Sequence, residues 1–305
     1  MGLQYLTNGQ IDKIRWDECI NKAGNGLIYG YSFYLDAMSK NWDALVLNDY
    51  ETVMPLTWNK KYGVHYLYQP PFTASLGVFG NNISGPLLHQ FLQSIPAKFK
   101  YWDISLNPGN DFLIKDFNLF RKVNFLLNLN QSHSQLSNHF RDKLVRYIKK
   151  SVQAGLQVKK NIEVAPVIAL AKKQAIHFSN LCKNDFLKFA GLYELLNADG
   201  RAMTYGVYDA RGLLMASAVF FLSNRRAYYI MAGNHPDSRA LGASHTLINA
   251  FIKDYAGQDL ILDFEGSDIK SLAFFYNGFG AKEENYPGLR LNRLPLLLKW
   301  IKNKG

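Results

Sequence analysis

Arg239-Ala240-Leu241-Gly242-Ala243-Ser244 stands between a strand-like run at residues 227–231 and a helix-like run that ends at Tyr255. A small, glycine-containing turn at a helix start exposes successive backbone amides, and the helix macrodipole adds partial positive charge there. Such a turn can hold a pyrophosphate, with Arg239 adding a charge-assisted contact. The same glycine can equally serve only to turn the chain tightly into its helix. Local chemistry leaves both readings open.

Working outward, residues 204–208, 213–222 and 227–231 read as three strands, separated by the turns Asp209-Ala210-Arg211-Gly212 and Ser223-Asn224-Arg225-Arg226. The loop and its helix follow, then a strand at 260–264 and a helix-like stretch at 271–276. The first third has the same order. Strand-like runs at 44–47, 52–57 and 65–68 form an antiparallel meander, then come Leu76-Gly77, a helix over 86–93 and a strand over 101–106. Helices at 11–22, with Ile11, Ile14 and Ile20 on one face, and at 34–38 precede this unit, and a strand at 125–129 follows it. The middle reads as helices over 134–154, closed by Gly155, over 165–181 and over 192–197. Element order therefore predicts an internal duplication. The expected fold is mixed α/β, with each unit a largely antiparallel sheet flanked by helices. Its domains are expected at 1–133 and 134–305.

The loop resembles the pyrophosphate loop of the GNAT superfamily of acyltransferases, Gln/Arg-x-x-Gly-x-Gly/Ala, with Ser244 at the last small position. Tyr228-Tyr229-Ile230-Met231-Ala232-Gly233-Asn234, then the loop, Leu262-Asp263-Phe264-Glu265-Gly266 and Phe274-Phe275-Tyr276-Asn277-Gly278-Phe279-Gly280 together are similar to FemAB-type tandem GNAT proteins. So is the basic stretch before Gly155. The resemblance is firmest over 204–281. It implies two GNAT-like units, the second holding the acyl donor and the first, whose Leu76-Gly77-Val78-Phe79 lacks the Arg, shaping an acceptor cleft. It implies donor contacts from Tyr229, Ile230, Met231 and Ala232 on a splayed strand, and from Arg239, Leu241, Gly242, Ala243 and Ser244. It further implies that the tail at 292–305 packs on the first unit.

Amide formation needs a base for the ammonium, an oxyanion donor and an acid for the leaving group. Asp263 and Glu265 alternate along a strand and would share a face if it stays regular. Either is a candidate base, and Asp263 is alternatively a structural acceptor at a turn. Tyr276 stands where aminoacyl-tRNA-using relatives carry Lys; it is a candidate acid or a packing residue. Asn234 and His235 either line the donor site or cap the loop. Trp42 and Tyr68 belong to an aromatic cluster that is either core or acceptor site.

With 305 residues, 48% hydrophobic and 19% charged, the chain can bury a large core and is not of disordered composition. Cys19 and Cys182 exclude a disulfide scaffold, and seven histidines without an HxxxH pair give no expectation of a metal. No signal peptide, myristoylation or transmembrane span is expected, and a reducing, cytoplasmic setting is the simplest reading. Net charge is +11, with seven basic residues between 141 and 160 against Asp142 alone, and five basic residues and no acid over 285–305. That balance suits an anionic partner or merely solvated helix faces. The expected activity is N-acyl transfer from acetyl-CoA or another acyl-CoA to a small-molecule or cell-wall-precursor amine. The alternatives are aminoacyl transfer from aminoacyl-tRNA to a peptidoglycan precursor, and a non-catalytic binding protein.

Overall fold

The computed structural model describes residues 2–175, 181–266 and 269–295. In chain order the elements are Leu3–Leu6 (β1), Lys13–Lys22 (α1), Ser32–Met38 (α2), Asn41–Leu47 (β2), Thr52–Lys61 (β3), Val64–Tyr68 (β4), Phe79–Gly80 (β5), Gly85–Gln93 (α3), Phe99–Ser105 (β6) and Leu119–Asn128 (β7). Then follow His133–Ser137 (α4), Asp142–Gln153 (α5), Gln157–Lys160 (β8), Val164–Ala175 (α6), Lys183–Ala198 (α7), Ala202–Tyr208 (β9), Leu214–Ser223 (β10) and Arg226–Asn234 (β11). Ser238–Leu241 (α8), Ala243–Tyr255 (α9), Ile261–Asp263 (β12), Lys270–Asn277 (α10) and Lys282–Asn292 (β13) complete the order. No helix among the described residues is long and apolar enough to cross a membrane.

The chain divides into two units. The first runs up to Lys122 and resumes at Asn285, and the second runs from Val123 to Glu284. The sequence division at 133/134 differs in that β7 splits at Lys122 and the chain returns to the first unit through β13. In the first unit β1, β2, β3 and β4 pair antiparallel in sequence. Strand β6 then joins β4 in parallel after α3, and β13 closes on β6 antiparallel through Gly288–Asn292 and Tyr101–Ser105. The second unit repeats this pattern. Strands β8, β9, β10 and β11 are antiparallel, β12 joins β11 in parallel after α9, and β7 closes on β12 antiparallel. A parallel join needs a crossover connection, and the helices α3 and α9 supply it.

Each unit has its own core. Leu56, Leu88, Phe91, Trp102 and Leu289 are buried in the first, and Phe220, Leu247, Phe251, Leu262 and Phe279 in the second. In α1 the buried face is Trp16, Cys19 and Ile20, whereas Ile14 is 75% exposed, so the expected isoleucine face is not the packed one. The helix expected over 134–154 is two helices, α4 and α5, because Phe140 is buried between them and the Arg141 N–H donates to Gly278 O. The expected helix over 165–181 reaches Ala175 within the described residues, and α7 is longer than expected. Strands β1, β5, β8 and β13 and the short helix α8 were not foreseen. The C-terminal residues 296–305 lie outside the described chain.

The two Leu-Gly pairs differ. Gly242 abuts α9, with φ +74°. Gly77, with φ +91°, precedes β5, and α3 starts only at Gly85. A side chain at Gly77 would meet Asn110 Oδ1, which accepts from the Val78 N–H at 2.7 Å.

In each unit the last strand comes from a distant part of the chain. A fragment ending at Lys122 lacks β13 and leaves β6 as an unpaired edge. It is expected to show no cooperative thermal transition in near-UV circular dichroism, whereas residues 123–284, which hold β8 to β12 and the part of β7 that pairs with β12, are expected to show one.

Candidate functional site

Strand β11 pairs with β12 for only three residues, Arg226↔Ile261, Ala227↔Leu262 and Tyr228↔Asp263. It then continues to Asn234 with β10 alone on its other side. What stops β12 is the Asp263 carboxylate, 4% exposed. Its Oδ2 accepts from Arg226 Nη1 at 2.8 Å, and its Oδ1 from Asn124 Nδ2 and the Glu265 N–H, both at 2.9 Å. Glu265 takes φ +65° to close that turn, and the Gly266 N–H is received by Asn124 Oδ1. The regular alternation expected for Asp263 and Glu265 therefore fails. Asp263 is a structural acceptor with both oxygens committed, and Glu265 lies beyond the strand end.

Beyond the last pair no other strand among the described residues pairs with this edge of β11. The His235 N–H donates to Met215 O, whereas the Asn234 N–H turns away from β10 to Gln174 Oε1 at 2.8 Å. Hydrogen-bonding direction alternates along an antiparallel strand, so the Ala232 N–H points the same way as that of Asn234. Tyr229, Phe264 and Tyr276 gather at this opening. Phe264 stacks on Tyr276 with centroids 4.6 Å apart, and Tyr229 meets Phe264 edge-on at 6.2 Å. Burial, and secondarily the charge of Glu265, pushes the Tyr276 phenol above its ordinary value. Burial and Tyr276 do the same for Tyr229. Both phenols thus keep their protons at neutral pH. The structure brings Glu265, Tyr276 and Tyr229 together, and the sequence had placed Tyr229 only among the donor contacts.

The loop at α9 is built differently from a bare anion cradle. Gly242 is buried, and a Cβ there would lie 2.6 Å from Tyr147 O on α5. Positive φ and this close approach both demand glycine. Packing on α5 therefore explains the residue without a ligand. Tyr147 stacks on His245 at 4.6 Å, and Phe275 meets the same imidazole edge-on at 4.8 Å. Ala243 is buried, Leu241 and Ser244 are half-buried, and Arg239 is exposed. Ser244 Oγ donates to Asn234 Oδ1, whose residue is also held by Gln174. His235 receives the Asp237 N–H. Asn234 and His235 thus stitch the loop. Ile230 and Met231 are buried.

In the first unit Trp42 is buried, packs on Trp16 at 5.2 Å, and donates to Asp36 Oδ1 at 2.9 Å. The Tyr68 hydroxyl receives the Lys40 N–H at 2.8 Å. Trp42 is thus part of the core of that unit, and Tyr68 is half-buried with its hydroxyl engaged.

The face of α5 away from the core carries Lys143, Arg146, Lys149 and Lys150, all exposed. Among the described residues none of the four has an ion-pair partner.

No protein-family model matches the chain, and no curated protein matches it in sequence. Solved structures do share its fold. FemX superposes with a TM-score of 0.66 at 12% identity, covering 94% of this chain and 97% of its own. The C-terminal domain of a putative lysylphosphatidylglycerol synthetase from Agrobacterium fabrum gives 0.54 at 11% identity, covering 92% of each chain. L-PGS from Bacillus licheniformis gives 0.52 at 10% identity, covering 85% of this chain and 87% of its own. The chain has a FemAB-like GNAT fold.

Two expectations follow for the site. Asp263→Ala leaves Arg226 buried without its closest partner, so urea denaturation is expected to show a loss of about 3–5 kcal/mol. His245 is held down to about 4 by burial and by Lys143, from an ordinary 6.5. Below pH 6.5 the unfolded chain takes up a proton that the folded one refuses. Stability attributable to this residue is therefore full above 6.5 and falls as the pH drops towards 4. The measured stability–pH curve of His245→Gln is expected to be flatter over that window.

Proposed function

We propose that the second unit transfers an acyl group to an amine at the open edge of β11, from a donor carried on a polyanion, of which aminoacyl-tRNA is the best fit. The observation that carries this reading is the gathering of Tyr229, Tyr276 and Glu265 where β11 and β12 part, on the strand whose edge continues to Ala232. The acceptor nitrogen attacks the ester carbonyl, and the Ala232 N–H receives the developing oxyanion. Glu265 takes the proton lost by the nitrogen. As the tetrahedral carbon collapses, its bond to the ribose oxygen breaks and Tyr276 supplies that oxygen with a proton. Tyr276 recovers its proton from Glu265, whose charge its phenol feels, directly or through water, and both groups return to their starting states. Tyr229 keeps the opening apolar and adds a second protonated phenol.

Two features favour the polyanion over acyl-CoA. Gly242 is engaged by Tyr147, and the four unpaired cations of α5 form a surface longer than one pyrophosphate needs. FemX shares the fold, and the resemblance of the sequence to FemAB-type proteins implies aminoacyl-tRNA as donor and a peptidoglycan precursor as acceptor. Acyl-CoA remains the second reading because the N–H groups of Ala243, Ser244 and His245 precede the bond of the Thr246 N–H to Gly242 O at the start of α9, and Arg239 nearby is exposed. The acceptor is proposed to be a cell-wall-precursor or small-molecule amine, and the setting cytoplasmic.

Binding of tRNA and of acetyl-CoA by the full chain, each over a salt series, separates the readings. The proposal expects tRNA affinity whose logarithm falls linearly with that of salt, a slope reduced by Lys149→Gln/Lys150→Gln, and no thermal shift with acetyl-CoA. A thermal shift with acetyl-CoA and no tRNA binding establishes the second reading. In a transfer assay with the donor that binds, Glu265→Gln and Tyr276→Phe are each expected to lower kcat by about 10²-fold or more. Unchanged rates in both variants would remove the site.

A further inference from the structure

Helix α7 buries Phe186, Phe189, Leu192, Tyr193 and Leu196, but leaves Leu187 62% and Leu195 47% exposed. Gly191 lies between those two leucines. At spacings of four and four, the three residues share one face of the helix. A glycine inside a helix costs about 1 kcal/mol relative to alanine. Among the described residues nothing asks for it, because φ is not positive there and an added Cβ would meet no atom within 4 Å.

The residues around Gly191 are ordered about it. Leu187 and Leu195 stand four positions to either side, Lys188 and Glu194 three, and Lys183 and Asp199 eight. Each basic residue on the N-terminal side thus has an acidic counterpart on the C-terminal side. Asp185 is turned to the helix start, where it accepts the Cys182 N–H at 2.8 Å. Asp199 also meets Arg201 at 2.9 Å in a surface pair, which is worth little by itself.

We infer that this face binds a second copy of the chain, in a symmetric dimer of antiparallel α7 helices crossing at Gly191. An isologous interface requires a patch complementary to itself, and the sequence about Gly191 is so under two-fold reversal. The basic half of one helix then lies along the acidic half of its copy, the two macrodipoles are antiparallel, and the four leucines surround the crossing. Gly191 sits where the backbones approach most closely, which gives that residue its use. A partner of different sequence would not require the mirrored order of charge.

Sedimentation of the full chain over a concentration series tests this. The wild type is expected to pass from 34.8 kDa to twice that mass as concentration rises. Gly191→Arg places a side chain into open space in the single chain and removes a helix glycine, so its circular dichroism at low concentration is expected to be unchanged and its thermal midpoint to rise by about 2–4 °C while the dimer is lost. Lys183→Glu/Lys188→Glu is expected to lose the dimer too, and adding Glu194→Lys/Asp199→Lys to restore it. A wild type that stays monomeric throughout overturns the inference. So does a dimer that survives both Gly191→Arg and the double charge reversal.

Discussion

The Asp263 carboxylate sets the site by ending a strand. It is buried, it neutralises Arg226, and it accepts the Glu265 N–H that bends the chain away from β11. Had β12 continued in register, Tyr229 to Asn234 would have found partners there and the amide of Ala232 would have been spent. A buried ion pair is weak evidence for stability, because desolvation offsets much of its attraction. Its consequence here is geometric. It holds two adjacent parallel strands together for three residues and then lets them part.

From that parting the other parts of the second unit take their places. Phe264 turns into the core and stacks on Tyr276, which fixes α10. The phenol of Tyr276 feels the charge of Glu265, and the buried surroundings keep it protonated. On the far side of α9, Tyr147 fills the space under Gly242 and stacks on His245, so α5 is seated with its cations facing outward. One set of aromatic contacts thus both closes the loop and presents the basic face.

Most of this order was legible from chain pattern. The three-strand meander, loop, helix and strand appear in both halves because alternating apolar runs and glycine-rich turns punctuate them. The elements that escaped have no such pattern. Strand β8 is Gln157-Val158-Lys159-Lys160, largely exposed, and β13 contains Pro287 and Gly288 among charged residues. Both are specified by the strand they pair with, which a local reading does not see. The same holds at the site. Glu265 and Tyr276 were readable as a carboxylate and a phenol in suggestive places. Asp263 could not be told from a base until Arg226 and Asn124, 37 and 139 residues away, were seen around it. Gly242 was read as either a phosphate cradle or a tight turn, and only the carbonyl of Tyr147 against it gives the glycine a reason within the chain.

The central claim is that the edge of β11 past Tyr228 is open and receives the reacting carbonyl. Amide hydrogen exchange at Ala232, followed by NMR in the free protein and with bound donor, tests it most directly. The account predicts fast exchange at Ala232 in the free protein beside slow exchange at Ala227, and protection of Ala232 when donor binds. Slow exchange at Ala232 in the free protein would show that the edge is already paired, and would contradict the account.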